Sequence, residues 1–217
     1  MQLTHLFPTF DALQKIYGEK TLDAIYGCGK IDKPKVCLVF MNPTARNAAA
    51  NKQWKGIKAP RISTKNVWNM FHQLGFFDKQ FIDEINSKKP SDRDYAFAEK
   101  AYKKVAENNI YITNLSKATQ IDARPLPNDV FRNYLDIFKQ EIDTVQPQVI
   151  ITFGNQVSSV LLDQNIKVGE YRKRHELLDI NNKKYKVFPV YYPVGQGMRN
   201  IKIAQEDIKW ILDNQTI

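Results

Sequence analysis

The sequence predicts an α/β protein: a three-layer α/β/α sandwich around a mostly parallel, four-stranded sheet. Three observations carry that expectation. The runs at 35–41, 109–113 and 148–153 are almost wholly apolar, as strands covered on both faces must be. Segments of helical period separate them, which is the connection that parallel strands need. The chain has 217 residues, 43% hydrophobic and 25% charged, a composition that folds around a core rather than staying disordered. No repeat, linker or low-complexity tract interrupts it, so 1–217 reads as one domain with a helical segment at about 1–30.

Taken in order, Phe10, Leu13, Ile16, Tyr17, Leu22 and Ile25 recur at helical spacing and predict a helix over 9–26. PKVCLVFM is the first strand. Val67, Trp68, Phe71 and Leu74 form one stripe over 64–74, where Thr64 can cap the helix. SDRDYAFAEKAYKKVAE predicts a helix from Ser91 to 107, and NIYITN the second strand. PNDVFRNYLDIFKQEIDT predicts a helix over 127–144, and PQVIITFG the third strand. HELLDI and KYKVFPVYY flank Asn181-Asn182 as a hairpin, and a last helix runs over 200–214.

Composition narrows function. Lys plus Arg total 32 against 23 Asp plus Glu, a net charge of +9, which favours a polyanionic partner. Between Arg46 and Lys65 stand six positive side chains and no negative one. Such a run is often only a solvated loop, but this one contains Trp54 and starts at a strand end. The two cysteines, Cys28 and Cys37, lack metal-site spacing, so free thiols in a cytoplasmic protein without metal or cofactor are expected. No apolar run approaches the about 20 residues of a membrane span. The N-terminus lacks a charged start followed by an apolar block, so no signal peptide is expected. His5, His72 and His175 have no metal or triad spacing.

In an open α/β sheet, ligands bind beyond the carboxyl ends of the strands. Asn42 follows the first strand, Thr113 and Asn114 close the second, Gly154 and Asn155 the third, and Tyr191, Tyr192 and Pro193 the last, before the turn PVGQGMRN. Each asparagine alone serves equally well as a turn former, and a tyrosine before proline as packing. Their gathering on one edge points to a site.

In order, FMNPTARNAAANKQW, KNVWNMFHQLGFFD, IYITNLSKATQ, PQVIITFGNQVSSVLL and VFPVYYPVGQGMRN resemble segments of the uracil-DNA glycosylase superfamily. The resemblance runs from about residue 33 to 215. The first segment is similar to the Gly-x-Asn-Pro-Gly motif of the mismatch-specific and thymine-DNA glycosylase branch, with Asn42 at the catalytic amide position. The third and fourth look more like the iron–sulfur branch, whose cluster cysteines are absent here. Tyr192 stands where that branch has His and Val194 where it has Ser; Thr44 replaces a motif glycine, and Phe40-Met41 the motif's glycine-containing start.

The resemblance implies a monofunctional glycosylase that removes uracil or a related deaminated base from DNA in base excision repair. Asn42 and Tyr192 would be catalytic. An amide cannot deprotonate water but can hold it, and a phenol can donate to the departing base. Asn114, Trp54 and Met41 would recognise the base. Met198 and Arg199, after Gly195 and Gly197, would fill the hole that it leaves. Arg46, Lys52, Lys55, Arg61, Lys117, Gly195 and Arg199 would hold DNA, and the basic loop would form a DNA-facing flap. The expected partner is DNA containing the damaged base, with the protein a monomer away from membranes. Two alternatives stay open: a catalytically weak nucleic-acid-binding module on the same fold, and an α/β enzyme of free nucleosides or nucleotides, which the absence of a P-loop or Gly-x-Gly-x-x-Gly disfavours.

Overall fold

The strands assemble by the alternation that the sequence carries. The computed structural model describes residues 3–124, 126–193 and 195–216. A first helix, α1 (Phe7–Tyr17), follows a short 3-10 turn at Leu3–Leu6. Strand β1 (Cys28–Gly29) is only two residues long; β2 (Val36–Phe40), β3 (Ile110–Asn114) and β4 (Val149–Phe153) are buried at every position. The hairpin is β5 (Glu176–Ile180) and β6 (Lys183–Val190). Strand order is β1-β3-β2-β4-β6-β5. The central four strands run parallel, and the two edge strands antiparallel. The sheet therefore has six strands rather than the expected four: β1 was too short to read, and the hairpin adds an antiparallel edge.

Period-two alternation divides the core into two layers. Val36, Leu38 and Phe40 of β2, with Val149, Ile151 and Phe153 of β4, join one cluster, while Cys37, Val39 and Ile150 join the other. The first layer is closed by α2 (Lys65–Gln73), α3 (Lys79–Ser87), α4 (Tyr95–Glu107) and α8 (Ile201–Gln215), through Trp68, Phe71, Phe81, Phe97 and Ile208. The second is closed by α1, α6 (Leu135–Val145) and α7 (Asn155–Leu162), through Phe10, Phe138, Ile142 and Val157. A short α5 (Asn128–Arg132) precedes α6.

Several helix boundaries differ from expectation. The first helix stops at Tyr17 instead of 26, and the chain turns at Gly18. A Cβ there would meet the Gln14 carboxamide at 2.2 Å, so any larger residue would push that carboxamide off its partners. Gln14 is buried and clamps the turn, donating to the Glu19 and Leu22 carbonyls and accepting from the Thr119 amide. The helix expected from Ser91 begins at Tyr95, capped by Asp94, after a 3-10 turn at Pro90–Asp92. The expected 127–144 helix breaks into α5 and α6. Thr64 sits at the N-cap of α2, but its side chain makes no capping bond. No helix among the described residues is long and apolar enough to cross a membrane.

Candidate functional site

Parallel register brings the strand ends to one edge. Phe40 lies opposite Asn114, and Phe153 opposite Val190. The pairing continues past β2: the amides of Leu115, Ser116 and Gln120 donate to the carbonyls of Phe40, Met41 and Pro43 at 2.8, 3.1 and 3.1 Å. The polar step after the apolar strand is thus zipped to the segment after β3, which fixes Asn42 beside Asn114. Both asparagines line one cavity of about 370 Å³, together with Met41, Arg46, Arg61 and Tyr192. Gly195 also borders it.

Within that cavity the polar groups are held differently. Asn42 is 7% exposed, and its Nδ2 donates to the Pro43 carbonyl at 3.1 Å. Asn114 is 1% exposed, and neither atom of its carboxamide finds a partner in the protein. Its own main-chain carbonyl accepts from Lys117 Nζ at 2.5 Å. Lys117 in turn donates to Glu141 at 2.6 Å and to Thr113 at 2.7 Å, and the Tyr111 hydroxyl donates to the same carboxylate at 2.7 Å. Desolvation draws the Lys117 ammonium below its ordinary range, with Glu141 opposing that shift. This network lies wholly inside the second layer, beneath the strand end that carries Asn114.

Another part of the lining, Arg61 with Tyr192, is cationic and aromatic. The Arg61 guanidinium lies 4.2 Å from the Phe40 ring centroid, and its Nη2 donates to the Tyr192 hydroxyl at 2.9 Å. The Tyr192 ring meets Phe40 edge-on at 6.0 Å. Gly197 packs directly on the Tyr192 main chain, where a Cβ would meet the carbonyl oxygen at 1.8 Å. The start of α2, at Thr64, Lys65 and Asn66, completes the rim with the positive end of its helix dipole.

The basic loop is anchored. Asn47 donates to Ala59 O at 2.9 Å, Lys58 pairs with Asp23 at 2.8 Å, and the Tyr102 hydroxyl donates to Pro60 O. Arg93, nearly fully buried, donates to Ile62 O and Ile85 O at 2.8 and 2.9 Å. Of the expected site residues, Asn42, Asn114, Tyr192, Met41, Arg46, Arg61 and Gly195 come together around the cavity. Lys52, Lys55, Met198 and Arg199 are exposed outside its lining. Trp54 also stands apart, its indole donating to Ile57 O at 3.0 Å and its ring packed on the core; stacking on a base would require it to leave that seat. Lys117 is a correction. It is completely buried against Glu141 and cannot reach a phosphate. Val194 lies outside the described residues. Sequence reasoning missed the meeting of Phe40 and Arg61 with Tyr192, whose signal is a long-range packing that local pattern does not encode.

Cys28 and Cys37 are free thiols, and burial pushes the Cys28 thiol up to about 12. Among the described residues no three His, Cys, Asp or Glu side chains gather as a metal site.

Two comparisons with known proteins bear on this geometry. The family model described as "Uracil DNA glycosylase superfamily" matches residues 26–212. The chain is 27% identical over 112 residues to a protein of Saccharolobus solfataricus named "Type-4 uracil-DNA glycosylase". That match covers 48% of this chain and 51% of the relative, so it spans about half the length of each.

Proposed function

Because the chain belongs to the uracil-DNA glycosylase superfamily, we propose that it hydrolyses the N-glycosidic bond of uracil, or of a related deaminated base, in DNA. The observation that carries this reading is the Asn114 carboxamide, buried at the cavity wall with its donor and acceptor both unpaired. An unsatisfied buried polar atom costs about 1–3 kcal/mol. A flipped pyrimidine removes that cost: its ring N–H donates to Oδ1 and its carbonyl accepts from Nδ2. Cytosine presents an acceptor where uracil has the N–H, so the same amide in the same orientation rejects it.

Asn42 then holds a water against the anomeric carbon, accepting one of its hydrogen bonds. Breaking the bond leaves an oxocarbenium-like sugar, and the electron pair departs with the base. The water oxygen adds to C1′ and its proton passes to solvent. The Tyr192 phenol donates to the base oxygen as charge develops. No carboxylate or imidazole borders the cavity among the described residues, so positioning rather than general-base chemistry drives the step, and turnover is slow. In this reading the protein acts as a cytoplasmic monomer on DNA, without metal or cofactor, as a single domain in base excision repair.

That missing carboxylate also favours one other reading, a nucleic-acid-binding module with little catalysis. Incubation with uracil-containing single- and double-stranded oligonucleotides, followed by alkali, separates the two. Uracil-dependent strand scission that falls about a hundredfold or more in Asn42→Ala supports the enzyme. Tight, salt-sensitive binding with no abasic product supports the module, and cleavage of free deoxyuridine would redirect the assignment to nucleosides.

A further inference from the structure

Arg61 occupies an unusual place for an arginine. Its φ is +62°, a left-handed conformation that costs a non-glycine residue about 1–2 kcal/mol and that glycine adopts freely. The backbone on either side is clamped, since Pro60 O accepts from Tyr102, Ile62 O from Arg93 and Arg61 O from the Thr64 amide. The side chain therefore leaves a fixed point, lies over the Phe40 ring and aims one nitrogen at the Tyr192 hydroxyl. No carboxylate borders the cavity among the described residues to neutralise it. A cation has been built against the one phenol that borders the cavity among the described residues.

We propose that Arg61 is a positioning residue for the leaving base, polarising the Tyr192 hydroxyl through the Nη2–Oη hydrogen bond and supplying the positive charge that offsets the anion on the departing pyrimidine. This rests on the glycosylase reading and assigns Arg61 a role different from phosphate contact. A guanidinium that donates to the phenol oxygen orients the phenol hydrogen away from itself and strengthens it as a donor. As the C1′–N bond breaks, both electrons move onto the base, whose oxygen gains negative charge at the phenol. The cation–π contact with Phe40 steadies the guanidinium without spending a hydrogen bond.

The test measures single-turnover excision of uracil and of 5-fluorouracil from otherwise identical duplexes. Fluorine stabilises the departing anion, so a residue that serves that anion matters less for 5-fluorouracil. Arg61→Gln is expected to slow uracil excision by about a hundredfold and 5-fluorouracil excision by at least about tenfold less. Tyr192→Phe should show the same bias, and the double variant should be little worse than either single one. Duplex affinity should change little. Equal losses on both bases, accompanied by weakened binding, would make Arg61 an ordinary phosphate contact and overturn the inference. Should Arg61→Gln fail to fold, Arg61→Lys, which keeps the charge but loses the planar fork, carries the same two-base comparison. A wild-type protein inactive on both substrates overturns the glycosylase reading itself, a result distinct from equal losses.

Discussion

At the scale of single residues, the buried Lys117–Glu141 pair raises the question of why a charge is kept where it costs so much. Desolvation is the dominant influence on the Lys117 ammonium, and replacing buried ion pairs by apolar groups is often neutral or stabilising. The pair's third bond gives a reason: Lys117 Nζ grips the Asn114 main-chain carbonyl and so fixes the direction of the carboxamide in the cavity. Lys117→Met alone strands the Glu141 carboxylate and is expected to cost about 3–5 kcal/mol, measured by denaturant unfolding. Adding Glu141→Gln removes that charge while its amide oxygen still accepts from Tyr111 and Thr113. The double variant should regain most of the lost stability yet remain defective in uracil discrimination. Recovery of both together would show that Lys117 has no part in aiming Asn114. The charge of Lys117 was visible in the sequence, but its burial was not, because the acidic partner lies 24 residues away on α6.

At the scale of elements, legibility followed how many neighbours a segment needs. The strands β2, β3 and β4 were readable because each is apolar at nearly every position and buried on both faces. The hairpin was readable because Asn181 and Asn182 both take positive φ, 49° and 62°, as a two-residue primed turn demands. The start of α4 was misplaced because Ser91 and Asp94 are both competent caps. Arg93 decides between them. Its guanidinium must reach the Ile62 and Ile85 carbonyls, which holds that residue outside the helix and leaves Asp94 to accept from the Phe97 amide at 2.9 Å. Asp94→Ala should therefore lower stability by about 1 kcal/mol, whereas Ser91→Ala should change it by no more than about 0.5 kcal/mol. Equal effects of the two in chemical denaturation would contradict this assignment of the cap. The strand-end amides were legible for the related reason that parallel strands deliver their carboxyl ends to one edge. The neighbours that complete the wall, Phe40 beneath Arg61, were not, because they meet only across the folded sheet.

For the whole molecule, the net charge of +9 matters through where it is compensated. Lys58 is paired with Asp23 and Arg172 with Asp207 and Glu206, so these add little to the field that a polyanion meets. Arg46 lines the cavity and is exposed, and Lys55 is exposed on the same basic loop, while Lys184 belongs to the β6 end next to the hairpin turn, opposite the end that leads to Tyr192. Counterion release makes the logarithm of DNA affinity fall linearly with the logarithm of salt, by about 0.9 per phosphate contacted. Arg46→Ala and Lys55→Ala are each expected to make that slope shallower by about 0.9 when duplex binding is titrated across salt. Lys58→Ala, already neutralised by its aspartate, and Lys184→Ala, at the far end of the sheet, should leave it unchanged. A slope that responds alike to all four substitutions would mean that the duplex is held by diffuse charge rather than by the cavity rim. The cavity would then have no oriented strand from which to draw a base.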